Sequence, residues 1–389
     1  MKKYCKSGMY VKTVSAALFV FMFLFAQSAL AAKPFDLCYT SDFSGVTASL
    51  GILQTKVVEM VVKEFNAAGG LKGRPINLII QDNGSDPSRA LGNVKMFKDQ
   101  YKCKVMLVDI TSSATLAMKS WGDANKIPMV AASPQSEKLT VVNQPAWFFR
   151  TCGSASVQVK AALANLKKKG YTKVAFEGST LAWGTDTLAQ IKEFAPQYGI
   201  TIVHEMLCEP KTKDLSIQVK KMMDSNPQAI LFAEYEAETA SLARAMNALG
   251  WKPFMMSTSA ANLMATINLG DANLYEGWEV VTIADPGKPL VQKIWKDASK
   301  YMGKPCDEDE KAIRARDQIA VTLEALKVAK NLDDSTSIRD AFYNINPRWE
   351  RASGKIGSKG GYSTAINQLL AVDDMVTLVV KGGKYFTAK

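Results

Sequence analysis

Residues 66–87 read NAAGGLKGRPINLIIQDNGSDP and hold a helix end, a turn, a strand and the start of the next helix. Gly69 and Gly70 suit the left-handed conformation that stops a helix. The segment INLII, 76–80, is expected to be a buried strand of the parallel type, since its mostly apolar run lacks strict alternation. Asp86 followed by Pro87 is an N-cap with proline at the first helical position, where the missing N–H is not needed.

The same rhythm extends outward from this unit. Strands are expected at 34–40, 76–81, 105–109 and 129–132, with helices at 51–68, 87–100 and 113–124, up to the segment 147–151. Val57, Val58, Val61, Val62 and Phe65 share one face of the first helix. The rhythm restarts with strands at 173–177, 200–207, 229–233 and 254–257, and helices at 185–196, 214–225 and 237–249. A segment at 279–284 leads to helices near 289–301, 309–331 and 335–343. The Gly-rich tract 354–361 precedes an expected strand pair at 367–372 and 375–380, extended through 384–386. Alternating strands and helices with right-handed crossovers give an α/β protein with two doubly wound parallel sheets. The two sets show no close repeat in their letters.

Residues 1–31 read as a cleavable export leader. Lys2, Lys3, Lys6 and Lys12 precede the apolar run 14–26, and Ala29-Leu30-Ala31 offers a small-x-small cleavage site. The run is short for a span of about 20 residues. Taking 31 residues from 389 leaves 358, enough for two domains. With 47% apolar and 22% charged residues, the composition is ordinary for a globular protein. The formal charge of +11 includes four leader lysines and no leader acid, which leaves +7. These cations are scattered, and Lys167-Lys168-Lys169 suits a helix end, so no nucleic-acid partner is expected. Beyond the leader stand Cys38, Cys103, Cys152, Cys208 and Cys306, an odd number whose pairing the spacing leaves open. With no Cys-x-x-Cys and the single His204, no zinc site is expected.

Ligands of open α/β sheets bind beyond the carboxyl ends of strands. Two loops there are small and polar: Thr111-Ser112-Ser113-Ala114-Thr115, and Ser133-Pro134-Gln135-Ser136. Hydroxyls beside unpaired N–H groups at a helix N-terminus make an anion site, most naturally for a carboxylate. The same residues would serve equally as helix caps. Trp183, Gly184 and Tyr235 lie in loops of the second set, where packing alone would account for them. No nucleophile elbow, phosphate loop or dinucleotide fingerprint is present, and His204 and Glu205 point to opposite faces of a strand. Asp86, Asp214 and Asp309 read as helix caps. No enzyme activity and no cofactor are expected.

On the stretch TSDFSGVTASLG, 40–51, and the run 66–87, the chain resembles the branched-chain amino-acid-binding family of periplasmic solute receptors. The likeness continues through nearly all of the sequence after the leader. It implies a type I periplasmic binding fold, whose chain crosses between lobes near Thr151, Thr282 and Gly361 through a three-strand hinge. The lobes are then 32–151 with 282–361, and 152–281 with 362–389. It also implies a periplasmic monomer that takes a small carboxylate ligand to the permease subunits of an inner-membrane ABC transporter.

Residue by residue, Ser112 falls on the family's serine contact and Ser133 on a backbone contact, with Thr111 in the same hydroxyl-bearing turn. Gln135 stands where a threonine is usual. Trp183 matches an aromatic that closes over the ligand, and Tyr235 a second aromatic of the cleft. Two positions depart. Thr258 stands where amino-acid binders hold the ammonium with an acid, and Leu50 replaces an aromatic. Either Glu234, Glu236 or Asp109 takes the acid's place, or the ligand has no ammonium. The second option is preferred and points to a carboxylic acid with an apolar or aromatic body beside Trp183, Tyr235 and Leu50. A ligand-binding component of an extracytoplasmic sensory system is the alternative, and a secreted hydrolase is a third reading.

Overall fold

In the computed structural model, which describes residues 33–108, 111–258, 266–267, 271–306 and 310–388, the chain builds two sheets. The first contains β1 (Phe35–Ser41), β2 (Ile76–Asp82), β3 (Met106–Val108), β4 (Met129–Ala131) and β5 (Phe148–Arg150), in the order β2-β1-β3-β4-β5. All its pairings are parallel. Helices α1 (Ala48–Ala67), α2 (Pro87–Asp99) and α3 (Ser112–Asn125) connect its strands. The expected leader, Asp109 and Asp309 lie outside the described residues.

The second sheet contains β6 (Lys173–Ser179), β7 (Thr201–Cys208), β8 (Ala229–Ala233), β9 (Phe254–Ser257) and β10 (Glu279–Thr282). A hairpin of β11 (Val376–Lys381) and β12 (Lys384–Thr387) adds to its edge, and the order is β12-β11-β10-β9-β8-β6-β7. Helices α4 (Ala155–Lys168), α5 (Ala182–Phe194), α6 (Ser216–Asp224) and α7 (Glu236–Ala248) accompany it. Read from β7 inward, the parallel part repeats the topology of the first sheet strand for strand. The repeat is invisible in the letters because burial, and not residue identity, specifies each strand.

After β10 the chain returns to the first core. Ile283 and Ala284 pack there, followed by residues of α8 (Pro289–Met302), α9 (Glu310–Val328) and α10 (Ser335–Ala341). Val291, Trp295, Ile319 and Leu326 meet Leu37, Tyr39 and Val58 in one buried cluster. Tyr362, Leu369 and Leu370 belong to the same cluster, and the chain re-enters the second sheet at β11.

Two expectations need correction. INLII is parallel as expected, but β2 is an edge strand; only Ile76 is fully buried, because the strand has a neighbour on one side. No strand forms at 367–372. The backbone makes one parallel bridge, between Arg150 and Gln368, with the Arg150 amide donating to the Asn367 carbonyl at 2.9 Å and the Leu369 amide to the Arg150 carbonyl at 3.1 Å, and the side chains of Asn367 and Gln368 add to it. Asn367 Nδ2 donates to the carbonyls of Leu139 and Phe148, both at 2.9 Å, and Gln368 Oε1 accepts from Arg150 at 2.7 Å. Cysteine pairing, open in the sequence, is resolved as a disulfide between Cys38 and Cys103, 65 residues apart. Cys152, Cys208 and Cys306 are buried thiols.

The loops entering α1 and α2 are tied together by two aspartates. Asp42 accepts from the amides of Gly45 at 2.6 Å and Thr47 at 2.9 Å, and from the Thr47 hydroxyl at 2.7 Å. Asp82 accepts from the Phe43 amide at 2.8 Å, Ser44 Oγ at 2.7 Å and Arg89 at 2.7 Å. Gly45 lies so close to the second loop that a Cβ there would sit 2.3 Å from the Gly84 carbonyl oxygen.

Desolvation pushes the Asp82 carboxyl up, but hydrogen bonds from Ser44, Phe43, Gly84 and Arg89 outweigh it and hold the group at about 2. A depressed folded value contributes stability above the unfolded pKa, and that stability is lost as pH falls through the folded one. Asp82→Asn is therefore expected to flatten the fall in urea midpoint between about pH 4 and pH 2, by on the order of 1 kcal/mol after allowance for solvent screening. An unaltered acid limb would remove Asp82 from this role.

Candidate functional site at the junction of the lobes

In a sheet of order 2-1-3-4-5, successive helices change face between the first and third strands, and a crevice opens at that switch point. Here the switch points lie between β1 and β3 and between β6 and β8. α1 and α3 follow the first pair, and α5 and α7 the second. The four helix N-termini meet where the lobes touch. Ser113 Oγ, on α3, accepts from the amide of Ala182 on α5 at 3.4 Å. Ser49, on α1, donates to the carboxylate of Glu236 on α7. Ser136 donates to Asp186 of α5. Each N-terminus carries unpaired N–H groups and the positive end of a helix dipole, so their convergence favours an anion.

The expected residues divide into those used by the fold and those with capacity to spare. Thr111 is the N-cap of α3, its hydroxyl accepting from the Ala114 amide at 3.4 Å. Ser112 Oγ accepts from the amides of Gln135 and Ser136, both at 3.1 Å, and so pins one polar loop to the other. Its own O–H proton is not engaged by those two bonds. Ser133 Oγ accepts from Gln54 Nε2 at 2.7 Å, and its carbonyl from Arg314 at 3.3 Å. The Gln135 carbonyl receives the Ala155 amide at 2.7 Å, while its side-chain Oε1 is buried without a protein partner.

Trp183 and Tyr235 form an edge-to-face pair with ring centroids 5.3 Å apart, and the indole Nε1 is buried without a protein partner. The same holds for Thr258 Oγ1, whose amide donates to the Phe232 carbonyl at 3.1 Å. Leu50 is buried in the first turn of α1. Gly184 has a packing cause: a Cβ there would lie 2.1 Å from the Ser179 carbonyl oxygen. Asp214 does not cap α6 from the N-cap position, which Leu215 occupies; it accepts from Ser216 instead.

Sequence reasoning missed the part played by α9. Lys311 is buried and reaches Ser49 Oγ at 3.2 Å and Glu236 Oε1 at 3.1 Å, joining the two lobes. One turn on, Arg314 pairs with Glu310, which also accepts from the Thr282 hydroxyl at 2.6 Å. Gln318 donates to the carbonyls of Val108 at 3.2 Å, the last residue of β3, and of Val130 at 2.8 Å, the middle of β4. The signal was a polar stripe, Lys311, Arg314, Gln318 and Thr322, at helical spacing on a helix otherwise rich in core residues.

Of the acids available to hold an ammonium, Glu236 is engaged by Lys311. Glu234 faces Glu177; burial first, and then the Glu177 charge, drive its carboxyl well above the usual range, which favours its neutral form. Asp109 lies outside the described residues.

Residues 37–374 match the family model described as periplasmic binding protein. A Leu/Ile/Val-binding protein homolog from Brucella melitensis is 25% identical over 344 residues, 87% of this chain and 90% of that protein. A leucine-, isoleucine-, valine-, threonine- and alanine-binding protein from Pseudomonas aeruginosa is 23% identical over 252 residues, covering 64% of this chain and 67% of that one. In three dimensions, the branched-chain amino acid transporter substrate binding protein LivJ of Streptococcus pneumoniae, solved with isoleucine, superposes with a TM-score of 0.80 at 17% identity, over 92% of this chain and 99% of that chain. The leucine binding protein LivK of Thermotoga maritima gives 0.77 at 18% identity, over 91% and 97%. These relatives are solute-binding proteins and not enzymes. The match, which spans well over half of the chain, shows that the chain belongs to the periplasmic binding protein family.

Proposed function

We propose that this chain is the periplasmic substrate-binding protein of an ABC importer. Its lobes would close round a small carboxylate-bearing solute and present it to membrane permease subunits. The observation that carries this reading is the convergence of four helix N-termini, two from each lobe, on one junction. Ligand contacts to both lobes favour the shut arrangement over the open one, which is how a hinge protein couples binding to closure. We take the lobes as 32–151 with 282 onward, and 152–281 with the C-terminal hairpin; the third crossing, expected near Gly361 with lobes ending at 361 and resuming at 362, is proposed beyond Leu370, since Tyr362, Leu369 and Leu370 pack in the first core.

Ser112, Ser133, Gln135 and Thr111 supply the carboxylate side of the proposed site. Trp183, Tyr235, Thr258 and Leu50 line the body of the ligand. Gln135 Oε1, Trp183 Nε1 and Thr258 Oγ1 are buried polar atoms without protein partners, and such atoms cost free energy until something bonds to them.

The proposed ligand has no ammonium. A buried ammonium needs a carboxylate beside it. Here Glu236 is already paired with Lys311, and Glu234 lies against Glu177. The aromatic pair then favours a carboxylic acid with an apolar or aromatic body.

In a thermal-shift panel, deaminated branched-chain and aromatic acids should raise the melting temperature more than leucine, isoleucine or phenylalanine. A preference for the α-amino acids would overturn the ammonium-free assignment. Trp183→Phe keeps an aromatic, though smaller, ring and removes the indole donor. Calorimetry should show a loss of about 1 kcal/mol, roughly fivefold in Kd, whereas unchanged affinity would take the Trp183 N–H out of the site.

A further inference from the structure

Three chemically reactive side chains from adjacent strands meet inside the second lobe. Glu177 stands on β6, Cys208 ends β7 and Glu234 follows β8. Glu177 pairs in register with Met206 and Phe232; Cys208 and Glu234 each lie two residues further on. Side chains two apart share a sheet face, so all three project to the side covered by α6 and α7. Their ligand atoms lie within 4.8 Å of one another. Glu177 is wholly inaccessible, and its carboxyl meets only Glu234 and Cys208, with no backbone amide or cationic side chain bonded to it among the described residues. Around them are Met206, Leu215, Phe232 and Leu242 of the apolar core.

In the free protein burial keeps these acids protonated; in their ionised forms, with the buried Glu238 also close by, they make a negative pocket that a positive species would compensate. The donor set selects which. A thiolate sulfur excludes the hard cations magnesium and calcium, while one sulfur with two oxygens suits zinc. Three atoms no more than 4.8 Å apart share a point within about 2.8 Å of each, so small side-chain rotations reach zinc bond lengths of about 2.0–2.3 Å. Cys208 lies on the edge strand β7, at the margin of the sheet.

We infer that Glu177, Cys208 and Glu234 bind a thiophilic divalent cation of the zinc class. Binding forms one metal–sulfur and two metal–oxygen bonds, and the thiol proton, with any proton held by the carboxyls, passes to solvent. The fourth position is left to water. The site braces the ends of β6, β7 and β8 beneath α7. It uses neither the single His204 nor a Cys-x-x-Cys, on which the expectation of no zinc site rested.

The test uses the whole protein, stripped with a chelator, loaded with zinc chloride and desalted, with metal counted by mass spectrometry. Roughly one zinc per chain is expected. Cys208→Ser and Glu177→Gln should each weaken retention by at least about tenfold, since loss of a partner outside the ligand shell already costs that much, and Cys152→Ser should retain it. Cobalt loading of the unsubstituted protein reads the thiolate without any variant, through a sulfur-to-metal charge-transfer band in the near ultraviolet. Wild-type protein that keeps no zinc, a cobalt form without that band, or full retention in a folded Cys208→Ser variant would each overturn the site.

Discussion

The structure depends on one constraint: a parallel sheet of order 2-1-3-4-5 has a single place where its helices change face. The chain folds that order twice, and the two lobes touch at their switch points. Helix starts from both lobes therefore meet at one place, and the backbone supplies positive potential there before any side chain contributes. Side chains refine the result. Ser112 locks the two polar loops of the first lobe together, and Asp42 and Asp82 hold the loops entering α1 and α2 in contact.

Among the described residues, the contacts named between the lobes are polar. Lys311, Ser49 and Glu236 form one group, and Ser136 with Asp186 another, with Lys138 3.9 Å from that carboxylate. Buried ion pairs add little net stability, because desolvation offsets their attraction, but breaking one partner is costly. Such contacts fix the alignment of two bodies without gluing them, as reversible closure requires. The apolar clusters remain largely inside each lobe.

Much of this was legible in the sequence. Gly69 and Gly70 take positive φ, Asp86 caps α2 by accepting from Arg89, and Pro87 opens it. Those features depend on a few neighbouring residues and so survive as local signals. The alternation of strands and helices was readable for the same reason. What escaped depends on contacts distant in the chain. The edge position of β2 follows from sheet order, and the strand expected at 367–372 is reduced to one bridge beside Arg150, with Asn367 and Gln368 side chains bonding across more than two hundred residues. Lys311 reads as an ordinary helix lysine until Ser49 and Glu236 are brought to it. The Glu177, Cys208 and Glu234 cluster is likewise assembled only by strand register.

The central claim is that an anion is held where the four helices begin. A crystal structure of the protein grown with its tightest-binding acid tests it directly. The carboxylate should lie against Ser112 and Gln135, with Trp183 and Tyr235 over the rest of the molecule and both lobes in contact with it. A ligand bound elsewhere, for example in the outer groove of about 470 Å³ beside Trp251 and Trp278, with the junction side chains packed as they are now, would contradict the account.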